Sequence, residues 1–397
     1  MGDLGRSPRM LNHARSLSAS GAAVTLVGYL ETALPADVES DSRILVRPLP
    51  SPSRAAPGSG GVTFLMVSAR RSLLQVVQLT RALFSGDAPN VLMVQNPPSI
   101  PTLAVARLAA WLRRSQLILD WHNFGFAMLA VRLGERHLAV RVARWYERVV
   151  ARGSGRHLCV SRAMSNWLSD HFSVTGAIVV YDRPIACPGP LPLEERAAVL
   201  ATIGESAVSS RSFAICPTSW TADEDIELLL RGLIAWDRAS ATDLTVVITG
   251  KGPLRERFEQ TLLATSFRRT RVRTCFLPPE GYRQLLRACD FGFSLHRSAS
   301  GVDLPMKIVD CFGAGLPVLA YHYGPCLEEQ VVQGKTGLFF RDEAELVSGI
   351  AELATPETRK RFRTEVNQRE RASWADEWNR QVRPLLSSGK SESHHAG

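Results

Sequence analysis

The chain has 397 residues, 45% hydrophobic and 21% charged, an ordinary globular composition in a length that is long for one core, so two domains are expected. Its net charge of +9 implies an anionic partner, with nucleic acid, phospholipid headgroups and phosphorylated substrates all eligible. The seven scattered cysteines form no CxxC pair, which excludes a zinc or disulfide framework and suits a reducing compartment, and no apolar run is long enough to cross a bilayer.

The first residues, Gly2-Asp3-Leu4-Gly5-Arg6-Ser7, have the make-up of a phosphate loop between a strand and a helix, although no strand precedes them in this sequence. No apolar segment follows the early arginines, so this is not a signal peptide. A carboxylate at Asp3 could take a proton from an attacking hydroxyl. The plain alternative is a turn with Arg6 and Arg9 as surface charges. Strand-like apolar runs follow at 23–29, 62–67, 91–95, 116–121, 157–160 and 178–181, with helix patterns at 73–84 and 100–113. The polar stretch 51–61 reads as a flexible surface loop. Asp120, His122 and Asn123 stand where the strand 116–121 ends, a poor place for a core and a good one for a binding edge. The bland reading is a self-satisfied polar cluster. Arg132, Arg136, Arg141, Arg144, Arg148 and Arg152 recur among Leu129, Leu133, Leu138, Val142 and Trp145, a basic amphipathic stretch that suits either an anionic membrane surface or a solvated helix face.

Four prolines in residues 182–192 break the pattern, so 1–182 reads as one domain and 183–211 as a linker. Strands at 213–216, 245–249, 271–276, 291–295 and 318–320 alternate with helices such as 282–287, giving a second domain over 212–360. Residues 361–386 read as helices, with Trp374 and Trp378 on one face, and 387–397 as a disordered tail. Alternating continuous apolar strands and helices predict an α/β chain with parallel, doubly wound sheets.

After the first strand of this domain come Thr218, Ser219 and Trp220, at the carboxyl edge where ligands of such sheets sit. Asp223 and Asp225 have a DxD spacing, but Thr221 and Glu224 predict a capping box, which explains the acids without a metal. Gly250 and Gly252 let a phosphate approach the backbone, and Lys251 adds charge. Residues 300–318, SGVDLPMKIVDCFGAGLPV, read as a loop with Ser300 and Gly301, then Pro305 opening a helix whose free amides suit a diphosphate. Asp310, within that helix, could accept two hydrogen bonds from a ribose diol. An i, i+3 ion pair with Lys307 is its bland use. Two phosphate-friendly loops and one diol-reading acid suggest a nucleotide-diphosphate-sugar site.

GDLGRSPRM, LDWHNFG, PTSWTADEDI, ITGKGPL and SLHRSASGVDLPMKIVDCFGAGLPV, in that order, resemble the chitobiosyldiphosphodolichol β-mannosyltransferases over residues 2 to about 350. The resemblance implies a GT-B fold, with two Rossmann-like domains facing across a cleft. It implies GDP-mannose as donor and dolichol-linked chitobiose diphosphate as acceptor. It also implies the cytosolic face of the endoplasmic reticulum membrane, in the company of other mannosyltransferases of lipid-linked oligosaccharide. The family's membrane segment and first strand are expected ahead of the GDLGRSPRM loop and are absent from this sequence. Arg297 stands where the family tends to have a small hydroxyl residue.

The implied reaction inverts the anomeric centre in one displacement and requires no metal or other cofactor. Lys251, Gly252 and the amides at Ser300 and Gly301 are expected at the diphosphate, Asp310 at the ribose, and the guanine near Phe276 and Leu277. Asp3 ranks first as base and His122 second. A non-catalytic binder of GDP-sugar or lipid-linked glycan is the alternative, as is another GT-B enzyme such as an α-mannosyltransferase. Against the retaining enzymes, paired glutamates with seven residues between them are missing; Asp303 and Asp310 have six between them. Nucleic acid is not expected, since the arginines lack interleaved stacking aromatics.

Overall fold

The computed structural model describes residues 2–51, 61–153, 155–184, 189–206, 211–369 and 373–387, with backbone alone for 61–71. The expected flexible loop and tail lie almost wholly outside the described residues. The chain divides into two domains, Met1–Tyr181 with Ala375–Gly397, and Asp182–Trp374.

The amino-terminal domain begins with a single 3₁₀ turn, Leu4–Arg6, and α1 (Pro8–Ala19). Two parallel strands, β1 (Val24–Tyr29) and β2 (Ile44–Leu49), flank the short α2 (Ala36–Glu39). Pro48 in β2 was no obstacle to a strand, because β2 is an edge and its proline faces no partner on the outer side. After α3 (Gly61–Phe84) comes a four-stranded parallel sheet in the order β3 (Val91–Asn96), β4 (Gln116–Trp121), β5 (Arg156–Cys159), β6 (Ile178–Val179). Its helices are α4 (Thr102–Arg113), α5 (Gly125–Leu133), α6 (Leu138–Arg152) and α7 (Arg162–Phe172). The run 62–67, expected as a strand, is instead the start of α3. Apolar runs of that length do not separate strand from helix by periodicity, and no proline or glycine stops the chain between Gly61 and Phe84.

The two sheets of this domain do not join. The edges of β1 and β3 are each unpaired on one side, and a cavity of about 160 Å³ lined by Leu4, Leu26, Leu92 and Val94 lies between them. Among the described residues, only a parallel bridge between Asp3 and Tyr29, with the Tyr29 amide donating to Gly2 O at 3.2 Å, continues the sheet beyond β1. This explains why five of six β3 residues are only half-buried although β4 beside them is sealed.

The carboxyl-terminal domain holds one six-stranded parallel sheet, ordered β12-β11-β10-β7-β8-β9. The strands are β7 (Arg211–Pro217), β8 (Asp243–Thr249), β9 (Thr270–Cys275), β10 (Phe291–Ser294), β11 (Val318–Tyr321) and β12 (Gly337–Phe340). Both faces of β7 and β8 are buried, one in a cluster with Leu229, Leu233 and Leu346, the other with Leu285, Ile308 and Phe312. Around the sheet run α8 (Leu193–Ala201), α9 (Ile226–Ala239), α10 (Arg255–Leu263), α11 (Pro279–Ala288), α12 (Met306–Gly313), α13 (Glu343–Ala354) and α14 (Pro356–Arg369). The expected linker thus contains a packed helix: Arg196 of α8 donates to Ala288 O at 2.8 Å and pairs with Asp290 at 3.0 Å. The last helices, α15 (Trp374–Gln381) and α16 (Arg383–Ser387), return to the amino-terminal domain, where Trp378 donates to His13 Nδ1 at 3.1 Å. No helix among the described residues is long and apolar enough to cross a membrane.

Candidate functional site

In the carboxyl-terminal domain the loops after β7 and β8 are pressed together through glycine. A Cβ on Gly250 would lie 1.8 Å from Thr218 O, and one on Gly252 would lie 2.0 Å from Ser219 O, so only glycine permits this approach. Gly250 also has φ +139°, a region that side-chain-bearing residues rarely occupy. Backbone bonds fasten the contact, from Thr218 N to Thr249 O at 2.8 Å and from Leu254 N to Trp220 O at 3.1 Å. The glycines expected to admit a phosphate therefore first admit a neighbouring loop. Lys251 stays exposed, its ammonium 3.7 Å from the centre of the exposed Phe276 ring at the end of β9. Leu277 is half-buried against the core beneath it.

Glu224 ties this loop to α12. It accepts from Thr218 Oγ1 at 2.5 Å and Ser219 N at 2.7 Å, and forms an ion pair with Lys307 in the first turn of α12. The capping box expected from Thr221 and Glu224 is not formed. Asp225 caps α9 by accepting from Leu228 N at 2.9 Å, which frees the buried Glu224 to organise the loop. Burial pulls the Lys307 ammonium down to about 8. Trp220, expected at the ligand, is corrected: its side chain is buried at φ +52° and packs on Phe258, so any contact it makes with a ligand is through the backbone.

Asp310 is half-buried one turn beyond Lys307 and accepts one hydrogen bond, from the Tyr282 hydroxyl at 3.0 Å. Burial pushes its carboxyl up to about 6, against the opposing pull of Tyr282 and Lys307. The Ser300–Gly301 loop is held from below by Asp303, which accepts from Ser300 Oγ at 3.1 Å and from the Ser298 hydroxyl, and contacts His296 at 3.0 Å. Gly301 sits at φ +75° and donates to Ser298 Oγ at 2.7 Å. The Arg297 guanidinium bonds Asp225 at 2.7 Å and covers the Tyr321 ring, so it is engaged within its own domain. Asp225 of the DxD pair caps α9 and binds Arg297, while the Asp223 carboxylate lies 3.9 Å from His296, and no group of three or more metal-binding side chains gathers among the described residues.

In the amino-terminal domain Gly5 lies so close to Thr32 that a Cβ would meet its carbonyl oxygen at 2.5 Å. Asp3 accepts from the amides of Gly5, Glu31 and Thr32 at 3.3, 3.1 and 3.2 Å and from Thr32 Oγ1 at 2.6 Å. Burial alone would raise its carboxyl, but the Thr32 hydroxyl and these amides together hold it below the usual range. These bonds make Asp3 a cap that holds its own loop, and a carboxyl held low is a weaker proton acceptor than one raised towards neutrality. Arg6 is exposed beside it, 3.7 Å from the carboxylate.

Asp120 is also corrected. It is fully buried, and Arg9 grips both its oxygens at 2.7 and 2.8 Å while His13 approaches at 3.3 Å. Arg9, read as a surface charge, is itself 1% exposed and donates to Val180 O at 2.9 Å. The two residues that follow β4 do reach the surface. His122 and Asn123 are half-buried, their amides donating to Asn96 O at 2.9 and 3.3 Å. Asn123 Oδ1 accepts from Phe124 N at 2.7 Å. Under this turn lies Glu147 of α6, fully buried, bound by Ser99 Oγ at 2.6 Å and Phe126 N at 3.1 Å, and pushed up by burial to about 7.

Sequence reading missed Glu224, Asp303, Tyr282 and Glu147. Glu224 carried a signal, an acid six residues beyond a strand-end threonine, that the capping pattern masked. Asp303 stands three residues beyond Ser300 in the same loop, whereas Tyr282 and Glu147 reach their partners only through the fold.

Residues 5–181 match the family profile described as a glycosyl transferase 4-like domain, and residues 231–386 match one described as glycosyl transferase-like. A chitobiosyldiphosphodolichol β-mannosyltransferase from Eremothecium gossypii is 36% identical over 396 residues, covering 95% of this chain and 83% of that protein. The protein of that name from Homo sapiens is 32% identical over 428 residues, covering 97% and 91%. Among solved structures, sucrose-phosphate synthase from Thermosynechococcus elongatus aligns with a TM-score of 0.70 at 15% identity, over 98% of this chain and 94% of that one. WaaG, a glycosyltransferase involved in lipopolysaccharide biosynthesis, aligns with a TM-score of 0.64 at 11% identity, over 98% and 97%. The two parallel α/β domains are therefore those of the GT-B fold.

Proposed function

The chain belongs to the chitobiosyldiphosphodolichol β-mannosyltransferase family, and from that premise we propose that its carboxyl-terminal domain takes GDP-mannose as the donor. The activity is mannosyl transfer in β linkage onto chitobiosyldiphosphodolichol. The observation that carries the donor reading is Asp310: a half-buried carboxyl with one hydrogen bond and a raised pKa, short of the donors that a ribose diol supplies. Lys251 beside the exposed Phe276 offers a cation for the diphosphate next to an aromatic face for the guanine. The first turn of α12, fixed through Lys307 and Glu224, adds backbone amides for the same phosphates.

An α-linked nucleotide sugar yields a β-mannoside by one in-line displacement. The attacking hydroxyl gives up its proton to a base, and the negative charge developing on the departing GDP falls to Lys251 and the α12 amides. In the amino-terminal domain His122 now stands ahead of Asp3 as base, since Asp3 is a weakened acceptor held by its own loop. The six unpaired cysteines among the described residues and the basic charge support the cytosolic face of the endoplasmic reticulum as the site of action.

Calorimetry tests the donor reading. GDP is expected to bind the protein and to lose affinity in Asp310→Ala and Lys251→Ala. Absence of GDP binding, or indifference to both substitutions, overturns it. Substituting His122 and Asp3 separately, with GDP binding intact, decides the base by which variant loses turnover. A product shown by anomeric NMR to be an α-mannoside would rule out the inverting displacement.

A further inference from the structure

Unit by unit, the amino-terminal domain carries an apolar surface that its own core does not use. On α6 the buried side is Val140, Ala143, Glu147 and Val150. At about 100° per residue, Leu138, Val142, Trp145 and Val149 fall on the other side within an arc of about 60°. All four are exposed, Leu138 at 70% and Trp145 at 62%. A helix with two apolar faces needs two partners, and among the described residues of this domain only one is present. The second face continues onto α4. Arg107 of α4 donates to Val149 O at 3.1 Å, and one turn along, Leu108 and Trp111 line an open groove of about 730 Å³ with Val150. Trp111 is 75% exposed.

Charge says what covers this face. From residue 100 to residue 153 there are nine arginines and no lysine, against three acids, Asp120, Glu135 and Glu147. Asp120 and Glu147 are fully buried, which leaves Glu135 as the one exposed acid of the segment. On the α6 wheel Arg141, Arg144, Arg148 and Arg152 form a row along one flank of the apolar stripe. Arg144 and Arg152 are partly engaged, over Phe126 and with Phe172 O respectively. Arg141 and Arg148 are exposed and have no partner among the described residues. Exposed tryptophan and aliphatic side chains beside an uncompensated arginine row fit the boundary between headgroups and acyl chains of an anionic bilayer. A protein partner would have to supply a matching acidic rim as well as an apolar ridge.

We propose that the α4–α6 face docks on an anionic phospholipid bilayer, with Leu138, Val142, Trp145, Leu108 and Trp111 entering the acyl boundary and Arg141 and Arg148 meeting lipid phosphates. The biological purpose of this docking rests on the lipid-linked acceptor described above. The docking itself is read without any mannosyl transfer, so the two fail separately.

The test is flotation with vesicles of phosphatidylcholine, with and without phosphatidylserine. Wild-type protein is expected to float with the anionic vesicles. The triple variant Leu138→Ser, Trp145→Ser, Trp111→Ser is expected to lose binding about tenfold or more, and Arg141→Glu with Arg148→Glu to lose the preference for phosphatidylserine and its salt sensitivity. Circular dichroism and GDP affinity of both variants should match wild type. Transfer to an acceptor with a short, water-soluble tail should persist in the triple variant while transfer to acceptor in vesicles falls. Flotation that is equal for wild type and variant overturns the proposal. So does a wild-type dimer that the triple substitution converts to monomer in sedimentation velocity, which would assign the face to a second copy. Failure of transfer to both acceptors by wild type, with flotation intact, would strike the enzymatic reading and leave the docking surface standing.

Discussion

Asp120 in the amino-terminal domain has both oxygens bound by Arg9 and a further contact from His13, whereas Asp310 in the carboxyl-terminal domain has a single hydrogen bond from a tyrosine hydroxyl. Burial raises both carboxyls. At Asp120 the charge of Arg9 and the hydrogen bonds from His13 and Arg9 reverse that and hold it far below the usual range. At Asp310 Tyr282 and Lys307 offset it only partly, and the carboxyl stays near 6. A buried charge that is fully matched belongs to the fold. One that is half-buried and short of donors is stabilised further by whatever brings them.

The largest effect should come from unmatching the first pair. Asp120→Ala leaves Arg9 charged and sealed, and should cost about 3–5 kcal/mol of stability in urea unfolding. Asp310→Ala should change stability by less than about 1 kcal/mol, yet lower GDP affinity about tenfold or more, the loss expected for hydrogen bonds to a charged acceptor. If Asp310→Ala unfolds the protein while Asp120→Ala does not, the contrast is reversed. A third effect lies in pH. The Asp310 carboxyl is raised, so it is protonated below about 6 and a poorer acceptor there. GDP affinity should therefore climb as pH rises through about 6 in calorimetric titrations, and Asp310→Asn should flatten that climb.

The smallest effect sharpens the same rule at Glu147, whose carboxyl rises from 4.5 to about 7 by burial, against hydrogen bonds from Ser99, Phe126 and Gly125. A raised acid binds its proton more tightly when folded, so its contribution to stability is full below 4.5 and is lost as pH climbs towards 7. Glu147→Gln imitates the neutral acid and keeps an acceptor for Ser99 and Phe126. The variant should lose that part of the pH slope in thermal melts between pH 5 and 7 while changing the midpoint at pH 5 little.

Local pattern revealed what local forces decide. The β7 and β8 runs are apolar on both faces, and Gly250 and Gly252 stand where only a missing side chain lets two loops meet, so strands and loop were readable from composition and spacing. Residues 62–67 misled because a short apolar run carries no period, and only the unbroken chain to Phe84 favours helix. Arg9 and Asp120 are 111 residues apart, and nothing near Arg9 distinguishes it from a surface arginine. Asp3 was legible as special but not in its task. Its partners Glu31 and Thr32 lie beyond a helix and a strand, and their bonds give it a capping role that its own neighbourhood in the sequence does not announce. Glu224 was hidden by a pattern that described it equally well in another role.

The gap between β1 and β3 predicts that the amino-terminal domain opens in two parts of unequal strength. The β1–β2 pair rests on two small clusters, one around Leu11, Leu26 and Ile44 and one in which Tyr29 and Leu49 meet Leu79 of α3, and among the described residues it shares no strand ladder with the four strands beyond the cavity. Opening it would break few interstrand bonds of its neighbour, so its amides should exchange with deuterium well before those of β4, whose residues are sealed on both faces. Within one domain, the segment that presents Gly2 to Arg6 would then breathe on a faster clock than the turn that presents His122.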